Sequence, residues 1–296
     1  MRKPVPSSLA KVYRSRGPIQ QFRFVDASSF ICFRCEQTKK SKLIAVYNQD
    51  WSNWLCTGCY SHLLSIYNVK AGTKADDARA ESLGNLLLTA VSADAKREAQ
   101  RIFQAREQQA RFLSPDAKCF VSTAEHVAEQ LSVEPHLEWS PAAIGLCKAV
   151  ESEIVSQILK PLAKRAANQD LEADKRDHDF RRVAVFCIDP TSEPPELGTF
   201  RRFLESAIHS RRRRQTSKLL AAFFELCRDW VESHWILETA GLTKALSELT
   251  EKFRNRAAHI DQLSKEDYDA CRSLVIGPDG MLWRIVLATQ REVGAI

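Results

Sequence analysis

Two cysteine pairs constrain this chain more than any other feature. Cys32-Phe-Arg-Cys35 and Cys56-Thr-Gly-Cys59 are separated by 20 residues. Two residues between cysteines let both thiolates of a knuckle reach one ion. Two such knuckles complete the closed tetrahedral shell of a structural zinc site. Disulfides and a redox pair are the competing readings. A redox pair needs no second pair. The remaining cysteines, at 119, 147, 187, 227 and 271, are scattered, mostly in apolar stretches. An odd total without a dense framework or a secretory leader fits a reducing compartment. The spacing therefore predicts one Zn2+ per chain on Cys32, Cys35, Cys56 and Cys59, with Cys147, Cys187, Cys227 and Cys271 in the core.

Between the pairs, residues 43–47 (Leu-Ile-Ala-Val-Tyr) read as a strand, and after Cys59 residues 60–67 are apolar enough to open a helix. A knuckle, a hairpin and a second knuckle entering a helix resemble a treble-clef zinc finger over residues 30–68. So short a segment builds little core, and the metal is expected to supply its folding energy. His62 would be superfluous to a shell already filled by the paired cysteines.

Charge is unevenly placed. Residues 1–74 carry 12 Lys/Arg against 3 Asp/Glu, and residues 75–296 carry 31 against 34. The excess suggests contact with a polyanion, or a solvated basic tail. Arg14, Arg16, Arg23, Arg34, Lys39, Lys40 and Lys42 are interleaved with Phe33, Tyr47, Trp51 and Trp54. Basic groups with aromatic platforms suit single-stranded nucleic acid. The same residues also suit a small core with a soluble rim.

The remainder reads as helical. Residues 1–25, with three prolines, read as a basic arm, 26–72 as the finger, and 73–138 as a helical connector broken at Ser114-Pro115. A short helix is expected over 123–131. Ser140 reads as an N-cap ahead of Pro141. Ile144, Cys147, Val150, Ile154, Ile158 and Leu162 form one apolar stripe at helical period. Residues 165–180 read as a charged loop, and 181–188 as strand or helix. Helices are expected around 200–208, 219–231, 242–257 and 265–273, and a turn at 277–280. The fold class is thus an all-α helical bundle over residues 139–296 with a small N-terminal α+β finger. No apolar run is long enough for a membrane span, and a cytoplasmic location is expected.

The segment Phe253-Arg254-Asn255-Arg256-Ala257-Ala258-His259 closes the stripe Leu242, Leu246, Leu249, Phe253, Ala257. Asn255 and His259 lie about 40° apart on a helical wheel, and Arg254 and His259 about 140°. Arg-Asn, three residues, then His, late in a bundle of this size, resembles the signature of the HEPN superfamily. Glu151 in its helix, residues 195–204 before a helix, and the acidic turn at 264–267 are similar to that family.

The resemblance implies a metal-independent endoribonuclease acting as a homodimer with a composite cleft. His259 would serve as base or acid, Arg254 would stabilise phosphate charge, and Asn255 would orient one of them. RNA is the implied substrate. A toxin or antiphage effector role, under an inhibitory or triggering partner, is implied too. In some family members a Tyr two residues after the His is adenylylated; here Asp261 stands there, which argues against that regulation. The alternatives are a non-catalytic RNA-binding or dimerisation scaffold and, behind it, a zinc-finger DNA-binding regulator.

Arg211, Arg212, Arg213 and Arg214, with Arg201 and Arg202 nearby, either track RNA phosphates or form a solvated loop. His126, His136, His178, His209 and His234 lack metal spacing. No Gly-rich phosphate loop, GxSxG elbow or HExxH occurs.

Overall fold

A computed structural model describes residues 9–72, 75–132, 138–259 and 262–290. The described residues open with a four-stranded antiparallel sheet in the order β1-β2-β3-β4: β1 (Leu9–Val12), β2 (Ile19–Ile31), β3 (Thr38–Tyr47) and β4 (Trp54–Leu55). Every named element after it, among the described residues, is helical.

The sheet corrects the reading of residues 1–25 as an arm. From Leu9 onward that stretch forms β1 and most of the first half of β2. Its strand character is masked because Ile19, Phe22 and Phe24, all buried, are interrupted by a bulge before buried Phe30. The register runs Arg23↔Leu43 and then Ser28↔Ser41, so β2 takes five steps where β3 takes two. That excess breaks the period-2 pattern and bends the hairpin. Residues 1–8 lie outside the described part.

Helix α1 (Thr57–Lys70) starts one residue after Cys56, and α2 (Asp76–Ala90), α3 (Ala93–Arg106) and α4 (Pro115–Leu131) follow. The helical stretch is broken at Ser114-Pro115, as the sequence predicts, and the next helix starts there rather than at 123. Ser114 Oγ accepts the Ala117 N–H at 3.3 Å, and proline tolerates the first turn. Helix α5 (Ser140–Ile154) passes through one π turn into α6 (Lys160–Ala166). Trp139, not Ser140, is its N-cap residue, while Glu138 Oε1 accepts the Ser140 N–H at 2.9 Å.

Residues 73–138 do more than connect. Helices α2 and α4 pack on α5, and a β-carbon at Gly145 would collide with Leu87 and lie 2.9 Å from the Ala124 Cβ. The buried apolar residues of sheet and helices form one cluster.

The charged stretch 165–180 holds a short helix, α7 (Glu172–Arg176), and the ambiguous run is helix α8 (Arg181–Ile188). Helices α9 (Leu197–His209), α10 (Arg211–Thr216), α11 (Lys218–Arg228) and α12 (His234–Leu237) come next. A π turn leads into α13 (Lys244–Glu248), a second π turn (Leu249–Arg254) into α14 (Asn255–Ala258), and α15 (Lys265–Ile276) and α16 (Met281–Ala288) close the chain. Leu242, Leu246, Leu249, Phe253 and Ala257 are all buried, as their spacing predicts. Helix α16 lies beyond the helices that the sequence pattern predicts, because its apolar residues surround a single Arg without a polar face. No helix among the described residues is long and apolar enough to cross a membrane.

Candidate functional site

The four paired cysteines converge. Their sulfur atoms all lie within 4.8 Å of one another, with Cys35 Sγ 3.9 Å from Cys56 Sγ. Ligands about 2.3 Å from a tetrahedral ion stand about 3.8 Å apart, so the cluster is of a size to hold a metal. Cys32 and Cys35 sit on the turn that leaves β2, Cys56 caps α1, and Cys59 lies in its first turn. The Cys59 thiol and, at 3.3 Å, the Cys56 N–H hydrogen-bond to Cys32 Sγ and hold it well below the ordinary thiol range. Such N–H···S bonds favour a thiolate ligand set. His62 lines a neighbouring cleft with Arg34 and does not belong to the cluster.

The second site is built around Arg254. The residue lies in the π turn before α14, carried inward beside the apolar stripe, and is 4% exposed. Its Nε lies 3.3 Å from Glu151 Oε1 on α5, and its Nη1 contacts Asp77 on α2. The Glu151 contact is not aligned as a hydrogen bond, so both atoms retain bonding capacity. Burial works against the guanidinium charge, but Glu151 and Asp77 outweigh it and hold Arg254 above its ordinary pKa. Glu151 Oε2 also binds Lys148 Nζ at 2.6 Å, and Lys148 contacts Glu81. An alternating set of charges thus joins α2, α5 and the motif helix.

His259 ends that helix. Its backbone turns extended, its N–H donates to Asn255 O at 3.0 Å, and its half-exposed ring places Nε2 3.3 Å from Asp76 Oδ2. The wheel sets Arg254 and His259 on different sides, yet both side chains reach successive carboxylates of one helical turn. Asn255 makes no side-chain hydrogen bond among the described residues.

Asp76, Asp77 and Lys148 had no signal in the sequence. Two acids at a helix start ordinarily complement its dipole, and nothing local shows that they meet residues about 180 positions later. Gln262 Nε2 donates to Tyr67 Oη at 2.6 Å, tying the segment after His259 to α1. Asp261 lies outside the described residues, as does His136.

The partners of the arginine run and of the scattered histidines lie outside both sites. Arg213 is bound to Asp177 at 3.0 Å and Asp179 at 2.7 Å, whereas Arg211, Arg212 and Arg214 are exposed. Arg201 pairs with Glu251 at 3.1 Å. His126 bonds Gln130, His178 pairs with Asp179, and His209 lies 3.4 Å from Thr239 Oγ1. Cys147, Cys187, Cys227 and Cys271 are buried free thiols, and Cys119 is half-buried.

No protein-family model, curated protein or solved structure matches the chain.

Proposed function

We propose that the chain is a metal-independent endoribonuclease of the HEPN type whose working site is Arg254, Asn255 and His259, completed by a second copy in a homodimer. The observation that supports this most is the pairing of a buried, doubly ion-paired Arg254 with a half-exposed His259 at the end of the same helix. In the reaction, His259 takes the proton of an RNA 2′-OH. The freed oxygen attacks the adjacent phosphorus, and Arg254 stabilises the added charge on the phosphoryl oxygens. The P–O5′ bond then breaks and the departing oxygen takes a proton, from the His259 of either copy. The products are a 2′,3′-cyclic phosphate and a 5′-hydroxyl.

The finger carries Zn2+ on Cys32, Cys35, Cys56 and Cys59 as a structural ion, and it contributes nucleic-acid or partner binding. The catalysis needs no metal. A nuclease of this kind requires control, which fits a toxin or antiphage effector held by a partner in the cytoplasm.

One observation favours a second reading, a non-catalytic RNA-binding scaffold. Arg254 is 4% exposed and bound on two sides by carboxylates, as a structural arginine would be.

The deciding experiment is RNA cleavage by the purified protein in EDTA, beside His259→Ala and Arg254→Ala. The nuclease reading expects cyclic phosphate ends that vanish in both variants. Equal cleavage by all three proteins would reject it.

A further inference from the structure

The β1–β2 hairpin bears a row of charge that the fold itself does not use. Lys11 stands directly opposite Arg23 in register, and both are exposed. Like charges directly opposite one another weaken an antiparallel pair. No carboxylate among the described residues lies within 4.0 Å of either, nor of Arg14 or Arg16 beyond them.

The face is defined by alternation. The Tyr13 N–H donates to Gln21 O at 3.0 Å, so Lys11 and Tyr13 share a side with Gln21 and Arg23. Lys11 Nζ lies 5.0 Å from the Tyr13 ring centroid. Beyond β1, Arg14 and Arg16 are exposed where the chain enters the turn, and Arg16 bridges to Ile19; the alternation that puts Lys11 and Tyr13 on this face puts Arg14 off it.

The turn has a definite address. Gly17 adopts φ +57°, and a β-carbon there would lie 3.0 Å from Tyr67 Cδ1. The turn therefore packs on the ring whose hydroxyl accepts from Gln262, three residues beyond His259. At about 3.3 Å per strand residue, the Lys11–Arg23 row lies roughly 16 Å from the Arg16 turn. The row leads from the open end of the hairpin to the segment that carries the motif histidine.

We propose that this hairpin face binds single-stranded RNA, with phosphates on Lys11 and Arg23 and a base against Tyr13. An unpaired strand is the form that presents both a phosphate row and a free base face. It also leaves the 2′-OH free to align with its phosphate. The choice of RNA over DNA rests on the nuclease reading; the binding face does not.

The test is fluorescence anisotropy of the full-length, zinc-loaded protein with a labelled oligouridylate. His259→Ala serves as the parent, to prevent turnover. The Lys11→Glu/Arg23→Glu variant is expected to bind at least about tenfold more weakly. Because each phosphate contact on a single strand contributes about 0.7 to the slope of log affinity against log salt, losing two should flatten that slope by about 1.4. Lys11→Gln/Arg23→Gln removes the charges without reversing them and should give the same flattened slope. Zinc content and melting temperature report that each variant is folded. Arg211→Glu/Arg212→Glu should bind as the parent does.

Three outcomes would overturn the proposal: unchanged affinity in the hairpin variants, tighter binding of the matching duplex, or loss of binding in the Arg211/Arg212 variant instead. Failures of the two readings are separable. A chain that binds through this face but cleaves nothing keeps the hairpin and rejects the nuclease. A chain that still cleaves with unaltered affinity after Lys11→Glu/Arg23→Glu does the reverse.

Discussion

Asp76 Oδ2 lies 3.3 Å from His259 Nε2, and the next residue, Asp77, binds the guanidinium of Arg254. One turn at the start of α2 therefore faces both side chains of the motif with carboxylates. A phosphate approaching Arg254 meets a negative charge already in place, and that carboxylate is half-exposed, free to be displaced.

Replacing Asp77 separates competition from support. Asp77→Asn keeps the shape and removes the charge, while Glu151 still faces Arg254 at 3.3 Å. Under the nuclease reading, RNA affinity in a His259→Ala background should rise several-fold, measured by anisotropy. A fall in affinity would mean that Asp77 positions Arg254 rather than shields it.

Lys70 and Glu138 form an ion pair with side chains 1% and 0% exposed, at 3.2 Å. Lys70 Nζ also donates to Ser140 Oγ at 3.1 Å. This pair joins the last turn of α1 to the residues that open α5, and so the cysteine-cluster region to the helices that follow. Lys70→Met strands Glu138 in the interior and should cost about 3–5 kcal/mol in urea unfolding. Lys70→Met/Glu138→Leu should recover most of that loss, because two matched apolar groups leave no buried charge. Equal losses in the single and double variants would assign the cost to packing instead.

How much of this was legible follows from the range of each signal. The Cys pairs are local, and spacing alone located their cluster. The stripe from Leu242 to Ala257 survives two π turns because all its members share one buried face. The β1–β2 hairpin was hidden by a bulge that breaks alternation and by the charge around it. Glu151 was singled out only by resemblance, and the structure sets it beside Arg254. The Asp76–His259 and Asp77–Arg254 contacts depend on where α2 packs, and Gly145 decides that by letting Leu87 and Ala124 approach α5. Close approach of this kind leaves no periodic trace in the sequence.

Metal removal should act on the finger first. The sulfur atoms of Cys32, Cys35, Cys56 and Cys59 lie within 4.8 Å of one another, while the helical body has its own buried residues. Under the zinc-finger reading, a strong chelator in denaturant-free buffer should release about one zinc per chain. Trp51 and Trp54 fluorescence should change, with most far-ultraviolet helical signal retained. Cys56→Ser should show the same state without chelation. Simultaneous collapse of the helical signal would show that the body depends on the finger.

Acid should act through Asp179. Partial burial works to raise its carboxyl, but hydrogen bonds from Arg213 at 2.7 Å and from His178 and Ser206 outweigh this and hold it below the ordinary carboxylate value. In the unfolded chain the group returns to about 3.9. Between the folded and unfolded values the unfolded chain binds more protons, so stability rises with pH across that window. The contribution is complete above about pH 4 and is lost as pH falls through the folded value. Asp179→Asn should therefore lower stability by about 1 kcal/mol at neutral pH and flatten the acid limb of the pH–stability curve, both read from urea melts. An acid limb as steep in the variant as in the parent would place the titration on other carboxylates, first among them Asp267, which Arg256 holds low by the same geometry once its own partial burial is outweighed.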